Sequence, residues 1–324
     1  PEIHGGQPVK SDDSGWTAVE SARRPKKMAD TTELHIRRIS LDTGRAQYTA
    51  MYQRARKDGK TSWAPHNEGL SGLGLSDPTS ANFYGGGFFG MEINGFRLRS
   101  AQPEMALVRG SGKAAIDARW DIPTATVTLR LTALGDDGAL YGQIDLAPKT
   151  TINHVDLKFL AFPGGFHGER DRRFHTATNE YGHDTEVTLA PDAGWLLLTD
   201  HKLDPGTGAV ALAFLPEQIQ ETKVAATSNY GVNVTVSCKP ATRRLQFVLW
   251  SMYQTPNARA LERIRAEYAP AIERLRAGPR LFTVGNTVAE PTPKPPGTNL
   301  RVLELATFAH GESRWDHWQF DEFE

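Results

Sequence analysis

The sequence predicts an all-β fold, a large antiparallel β-sandwich with one late helix, on the basis of three observations. Short runs of alternating apolar and polar residues recur along most of the chain, turn residues separate them, and one long segment has helical periodicity. About ten short strands before a late helix do not fit the strand–helix alternation of an α/β protein. Such regularly spaced strands are typical of sandwiches and barrels.

The clearest pair of predicted strands forms a hairpin. Residues 126–134 alternate with a nearly perfect period of two, and residues 139–146 continue the pattern after a turn. The turn contains Asp137-Gly138, a dipeptide that supplies the positive φ of a tight reversal. The other predicted strands are residues 34–37, 46–51, 155–162, 186–189, 195–199, 209–214, 221–226, 232–237 and 245–250.

A single long helix is predicted over residues 257–277. Its apolar positions at helical spacing are Leu261, Ile264, Tyr268, Ile272 and Leu275. Asn257 is the expected N-cap, and Gly278-Pro279 is a stop signal. Because Pro270 removes a backbone donor inside this segment, we expect it to kink the helix or to split it into two.

Length and composition indicate one main domain between two extended termini. The chain has 324 residues, which allows one large all-β domain. We expect the sandwich over residues 32–285, an N-terminal arm over residues 1–31, and an extended connector with an aromatic tail over residues 286–324. The arm is polar and broken by Gly and Pro, and the connector contains the Pro-rich stretch 291–297.

Charge, hydropathy and cysteine content exclude several classes of partner and of structural site. A formal net charge of −1 excludes a globally basic nucleic-acid binder, and no stretch approaches the ~20 apolar residues of a membrane span. The single Cys238 excludes an intrachain disulfide framework and a multi-Cys zinc site. Because the first residue is Pro rather than Met, we expect a processed or trimmed start. A periplasmic or secreted location is favoured, a cytoplasmic one stays open, and no pattern indicates an oligomeric state.

Residues 82–90 are rich in glycine and aromatic residues. The run lacks the Gly-Lys-Ser/Thr ending of a phosphate-binding loop and the strand–helix context of a dinucleotide site. One interpretation is a buried strand pair or a tight loop. The other is a platform on which a sugar stacks, with Tyr84 and Phe88 offering flat faces and the glycines allowing close approach. Trp250, at the end of a later predicted strand, is a further candidate for substrate binding, with a position in the core or in a cleft wall as the alternative.

The densest set of chemically active side chains follows the predicted strand 155–162. Residues 164–186 hold three of the ten histidines with carboxylates, arginines, a tyrosine and an asparagine, as in functional loops on a rigid scaffold. A solvated, salt-bridged loop is the alternative interpretation. The candidate catalytic residues are His183, Tyr181, Asn179, Glu180 and His175. The candidate substrate-binding residues in this segment are His167, Glu169, Arg170 and Arg173.

Three chemistries fit this segment. A His and a Tyr could share proton transfer while Asn and Arg hold a uronate carboxylate, which gives β-elimination. Two carboxylates could flank a glycosidic bond, as hydrolysis requires, and the candidates are Glu169, Asp171, Glu180, Asp184 and Glu186. A divalent metal could be bound by His167, His175 and Glu169, although His-x7-His is not the spacing of a compact zinc motif. We expect no cofactor, with that metal as the alternative.

Residues 195–277 resemble the closing part of a galactose-mutarotase-like supersandwich. The stretch runs from Trp195-Leu-Leu-Leu-Thr199 through Gly208-Ala-Val-Ala-Leu-Ala-Phe214 to Leu249-Trp250 and the helix after Thr255-Pro256. The resemblance implies a supersandwich of the kind found in aldose epimerases, in many polysaccharide lyases and in some glycosidases. It is a resemblance of strand rhythm, so it implies a fold and a substrate class and no individual catalytic residue.

The leading functional expectation is a carbohydrate-active enzyme that cleaves a poly- or oligosaccharide by general acid/base chemistry, as a lyase or a glycoside hydrolase. The alternatives are a mutarotase or epimerase and a non-catalytic carbohydrate-binding sandwich. Tyr181 and His183 are two residues apart, and on an extended chain they would project to the same side about 7 Å apart. We then expect His183→Ala or Tyr181→Phe to lower turnover at least ~100-fold.

Overall fold

A computed structural model of the chain describes residues 6–8, 20–21, 32–43, 45–57, 64–65, 73–76, 84–98, 101, 103–110, 113–135, 137–163, 171–202, 208–226, 231–252, 255–278, 280–283 and 301–307. These residues form two antiparallel sheets and one long helix, so the predicted all-β sandwich is confirmed. Among them, no helix has the length and the apolar character needed to cross a membrane.

The larger sheet has thirteen strands within the described residues. They are β1 (Gly6–Pro8), β2 (Glu20–Ser21), β3 (Thr32–Asp42), β4 (Gln47–Lys57), β5 (Ala64–Pro65), β6 (Leu73–Ser76), β7 (Tyr84–Ile93), β8 (Phe96–Arg97), β13 (Val155–Ala161), β16 (Thr185–Leu189), β19 (Ile219–Ala226), β20 (Val232–Cys238) and β22 (Arg301–Thr307). The main order is β1-β22-β3-β4-β6-β7-β13-β20-β19-β16, and β2, β5 and β8 pair with β3, β4 and β7.

The smaller sheet has nine strands in the same part of the chain. They are β9 (Glu104–Gly110), β10 (Lys113–Asp121), β11 (Ala125–Leu134), β12 (Ala139–Pro148), β14 (Arg172–His175), β15 (Glu180–Tyr181), β17 (Trp195–Asp200), β18 (Ala209–Phe214) and β21 (Arg244–Met252). Their order is β15-β14-β17-β18-β21-β12-β11-β10-β9. The predicted hairpin is confirmed as β11–β12, with Leu129 opposite Ile144 in the register.

The main core lies between the two sheets. Alternate residues of β11, including Val127, Leu129 and Leu131, are fully buried in it, because a period of two puts one face of a strand inward. Phe159 of the larger sheet contacts the ring of Phe247 of the smaller sheet at a centroid distance of 5.6 Å. Apolar burial of this kind is the main contribution to the stability of the sandwich.

One glycine is required by this packing. Gly142 on β12 lies opposite Phe247 on β21, and a Cβ added to Gly142 would stand 2.2 Å from the Phe247 ring. The ring therefore occupies the space that any side chain at position 142 would need.

The helix α1 (Asn257–Arg276) packs on the outward face of the smaller sheet. It forms one element through Pro270, so this proline does not split it. Pro270 is exposed, and Ile264 and Ile272 are buried on either side of it, so packing on the sheet stabilises both halves of the helix. The prediction that Asn257 is the N-cap is wrong, because Pro256 occupies the cap and Asn257 is the first helical residue.

The glycine-rich run and residues 301–307 both contribute strands to the larger sheet. Residues 84–90 of the glycine-rich run belong to β7, so this described part of it is a strand. Residues 301–307 fall within the segment predicted as connector and tail, and they form β22, which pairs with β3 and β1. Both termini of the described chain therefore add strands to the same edge of the larger sheet.

Candidate functional site

The site lies at the edge of the smaller sheet, where β14 and β15 form a short hairpin. Its turn is held by Thr176 and Asn179: the Thr176 N–H donates to the Asn179 carbonyl at 2.8 Å, and the Asn179 N–H donates to Oγ1 of Thr176 at 3.0 Å. The ladder places Phe174 opposite Tyr181 and His175 opposite Glu180. Each of these pairs therefore shares one face of the sheet.

Alternation along β14 separates an inward face from an outward face. Phe174 is buried in the main core, and the Tyr181 ring stacks on it with centroids 4.6 Å apart. Arg172 is 0% exposed, lies 3.6 Å from Asp200 and stands over the Phe162 ring. The inward side chains thus attach the hairpin to the sandwich.

Asp200, at the end of β17, connects three segments around the site. Its Oδ1 accepts the backbone N–H of Asp171 at 3.2 Å and that of Lys202 at 3.0 Å. Its carbonyl accepts the side-chain amide of Asn257 at 3.1 Å. The start of β14, the end of β17 and the first residue of α1 are therefore fixed relative to one another.

On the outward face, Arg173 bridges two carboxylates. Its Nη2 donates to Asp171 at 2.8 Å and its Nη1 donates to Glu180 Oε1 at 2.8 Å. These hydrogen bonds are the largest cause that lowers the pKa of Asp171 and of Glu180 below their ordinary values. Both side chains therefore remain ionised at neutral pH.

His183 lies beside this bridge, with Nδ1 3.5 Å from Asp171 Oδ1 and Nε2 3.5 Å from Asp184 Oδ2. Its side chain is 43% exposed. The extended chain ends at Tyr181, and Asp184 has a φ of 56° in the following turn. The expected same-side projection of Tyr181 and His183 therefore does not apply, since it required a strand that continued to His183.

His175 is the most buried imidazole of the group, at 8% exposure. Burial is the main cause that lowers its pKa, so the ring is neutral at neutral pH. Its Nδ1 lies 3.8 Å from Glu180 Oε2, and its Nε2 lies 3.3 Å from Oγ1 of Thr199 on β17. The ring of His201 stacks near it at a centroid distance of 6.1 Å.

Sequence reasoning did not assign His201 to the site. This residue follows β17, and on its own it has the pattern of an ordinary turn residue. The β14–β17 ladder pairs Arg173 with Thr199, and the His201 N–H donates to the Asp171 carbonyl at 2.9 Å. That long-range register brings His201 to His175, and only a correct prediction of the pairing of β14 with β17 would have found it.

We call the polar group Asp171, Arg173, His175, Glu180 and His183 the β14–β15 cluster. It contains four of the predicted site residues, and Asn179 is exposed in the turn beside them, where its amide donates to Thr178 Oγ1 at 3.1 Å. Tyr181 belongs to the same hairpin but packs against the core.

The other predicted site residues lie elsewhere. Trp250, which was predicted to bind substrate, is 0% exposed and buried beneath α1. Its ring therefore has no exposed face that a sugar could contact in this structure. Tyr84 and Phe88 belong to β7 of the larger sheet, whereas the cluster belongs to the smaller one. His167, Glu169 and Arg170 lie outside the described residues, as does the metal set that combined His167 and Glu169 with His175.

Comparison with known proteins gives distant structural likenesses. No protein-family model matches the sequence, and no curated protein matches it. The GH36 α-galactosidase AgaB from Geobacillus stearothermophilus is 11% identical with a TM-score of 0.38, and the match covers 70% of this chain and 41% of that one. A proposed kojibiose phosphorylase from the human microbiome is 11% identical with a TM-score of 0.41, covering 74% of this chain and 33% of that one.

A protein of Synechocystis sp. is 9% identical with a TM-score of 0.36, and the match covers 67% of this chain and 96% of that one. The chain thus spans about two fifths of the α-galactosidase and one third of the phosphorylase. Likenesses of this extent carry no functional argument.

Proposed function

We propose that the protein is a carbohydrate-active enzyme in which His183 transfers protons. The observation that carries the proposal is the exposed His183 imidazole, whose Nδ1 lies 3.5 Å from the Asp171 carboxylate. The Asp171 carboxylate orients the ring through Nδ1, and Nε2, which faces the exposed Asp184, is the nitrogen that would exchange a proton with substrate. Arg173 keeps Asp171 ionised for this role and holds it in place.

A polyhydroxylated ligand suits the surface around His183. The side chains of Asn179, Glu180 and His183 are exposed there, and they offer an amide, a carboxylate and an imidazole to sugar hydroxyl groups. The resemblance of residues 195–277 to the sandwich of carbohydrate-active proteins agrees with this substrate class. Fold alone does not fix function, so the weight of the proposal rests on the side chains.

The leading reaction is cleavage by β-elimination. His183 would take the proton from the carbon next to a uronate carboxyl group, the C–O bond to the leaving sugar would break, and a carbon–carbon double bond would form. Because Tyr181 packs inward on Phe174, the protonated His183 would then return this proton to the departing oxygen. Hydrolysis by a carboxyl pair is less well supported, because it needs one carboxyl group to stay protonated and Arg173 favours ionisation of both Asp171 and Glu180.

A second candidate is a mutarotase acting on a neutral sugar. Arg173 already donates to two carboxylates, so binding a uronate carboxylate through it would break one of these ion pairs. A neutral sugar makes no such demand. Its ring opening needs only a proton taken from one oxygen and returned to another.

Screening the purified chain against uronate-containing and neutral glycans distinguishes these reactions. β-Elimination gives an unsaturated product that absorbs in the ultraviolet, and we expect this signal with a uronate polymer. A mutarotase changes optical rotation without new reducing ends, and a hydrolase makes reducing ends without the absorbance. Binding of a glycan without any of the three signals would contradict the enzyme and support a binding module.

A further inference from the structure

His175 and His201 form a pair of imidazoles at the site, and the proposed function does not use this pair. His175, Glu180 and His201 each present a ligand atom, and these atoms all lie within 4.8 Å of one another. The three residues come from β14, β15 and the segment after β17, which the ladders of the smaller sheet bring together. This is two imidazoles and one carboxylate around a common point.

The contacts around Glu180 leave one oxygen for a ligand. Arg173 Nη1 donates to Oε1 at 2.8 Å, whereas Oε2 is the oxygen that lies 3.8 Å from His175 Nδ1. The arginine therefore orients the carboxylate without occupying the oxygen that faces the imidazole. Its own charge is balanced by Asp171, to which it also donates.

Both imidazoles are also arranged as ligands. Nε2 of His175 lies 3.3 Å from the Thr199 hydroxyl, a contact that fixes the ring while Nδ1 faces Glu180. Nε2 of His201 is buried and makes no hydrogen bond to any described residue. A buried ring nitrogen of this kind is stabilised either by a metal ion that binds its lone pair or, when it carries a proton, by a hydrogen-bond acceptor.

We propose that His175, Glu180 and His201 bind a divalent transition-metal ion of the zinc class. Imidazole nitrogen with one carboxylate oxygen is a donor set that zinc and its neighbours take, and three protein ligands leave a fourth position for water. Tetrahedral zinc needs ligand atoms about 3.3 Å apart, so the side chains close by at most about 1.5 Å on binding. Glu180 is an exposed side chain at the start of the two-residue β15, and His201 follows the end of a strand, so both side chains can make this adjustment.

The test is zinc binding by the full chain after chelator treatment and dialysis, measured by isothermal titration calorimetry. We expect one saturable zinc site that is weakened at least ~10-fold by His201→Ala and by Glu180→Gln. Cobalt in place of zinc is expected to give the visible absorption of a tetrahedral ion. These two variants are chosen because neither residue is fully buried, and far-UV circular dichroism checks that each is folded.

His154→Ala is the matched control. His154 is an exposed imidazole 3.0 Å from the Asp156 carboxylate, near β13 of the other sheet, and its loss is expected to leave zinc affinity unchanged. If the wild-type chain shows no saturable site, or if either cluster variant binds zinc as tightly as wild type, the three-ligand site is wrong. The measurement needs no glycan, so its outcome is independent of the proposed reaction.

Discussion

The outward face of the smaller sheet is divided into an apolar half under α1 and a polar half at the β14–β15 edge. Strand β17 contributes to both: Trp195 and Leu197 pack under the helix, whereas Thr199 contacts His175. All three residues occupy the same side of one strand, since they are spaced by two. The alternation of a strand therefore sets which face a residue takes, and the element that covers this face decides whether it becomes core or site.

The largest effect is expected in the apolar half. Trp250→Ala removes a completely buried side chain beneath α1 and should lower the free energy of unfolding by about 3–5 kcal/mol, measured by urea denaturation. Trp250→Phe keeps most of the volume and removes an indole N–H that has no hydrogen bond among the described residues, so its cost should be smaller. A loss below about 1 kcal/mol for Trp250→Ala would contradict burial of the ring.

An intermediate effect is expected where the polar half meets the core. Tyr181→Ala removes the ring stacked on Phe174 and should cost about 1–2 kcal/mol in thermal or urea unfolding. Tyr181→Phe keeps the stack and should stay within about 0.5 kcal/mol of wild type. Equal stability of the Ala and Phe variants would show that the stack contributes nothing.

The smallest effect is expected at the end of α1, where Arg276 lies 3.3 Å from Glu217. The hydrogen bond from Arg276 is the main cause that lowers the pKa of Glu217. A carboxyl group with a lowered pKa stabilises the fold above its unfolded pKa, and this stability is lost as the pH falls through the folded pKa. Glu217→Gln removes this titrating group. As the pH falls below about 4.5, the variant should therefore lose slightly less stability than the wild type.

Because both partners are exposed, the Glu217 effect at neutral pH should not exceed about 0.5 kcal/mol and should shrink in high salt. Urea unfolding at several pH values and two salt concentrations measures it. A salt-independent change above about 1 kcal/mol would mean that Glu217 has a packing role instead of an electrostatic one.

Local patterns were sufficient to predict most of the fold. Residues 209–214 were predicted as a strand and form β18 with the same bounds, because alternation and flanking turns are properties of neighbouring residues. The helix was predicted over residues 257–277 and ends at Arg276. Continuity through Pro270 could not be predicted from the segment itself, since it depends on packing of both helix halves on the sheet.

The candidate site was predicted in part, and the missing part has one cause. Glu180 and His175 were found because they are close in sequence, whereas His201 joins them through the register of β14 with β17. Trp250 was assigned to substrate binding because the sequence does not say what covers the end of β21, and α1 covers it. Pairing and covering of strands are long-range properties, and periodicity carries neither.

Comparing His183→Ala with His154→Ala tests whether the exposed imidazole of the polar half transfers protons. Both histidines are exposed and lie near a carboxylate, Asp171 in one case and Asp156 in the other, but His183 lies in the turn after β15 and His154 lies just before β13. With a glycan that the wild-type enzyme converts, we predict that His183→Ala lowers kcat/KM at least ~100-fold while His154→Ala stays within a few-fold of wild type. Activity of a folded His183→Ala variant equal to that of His154→Ala would contradict the account.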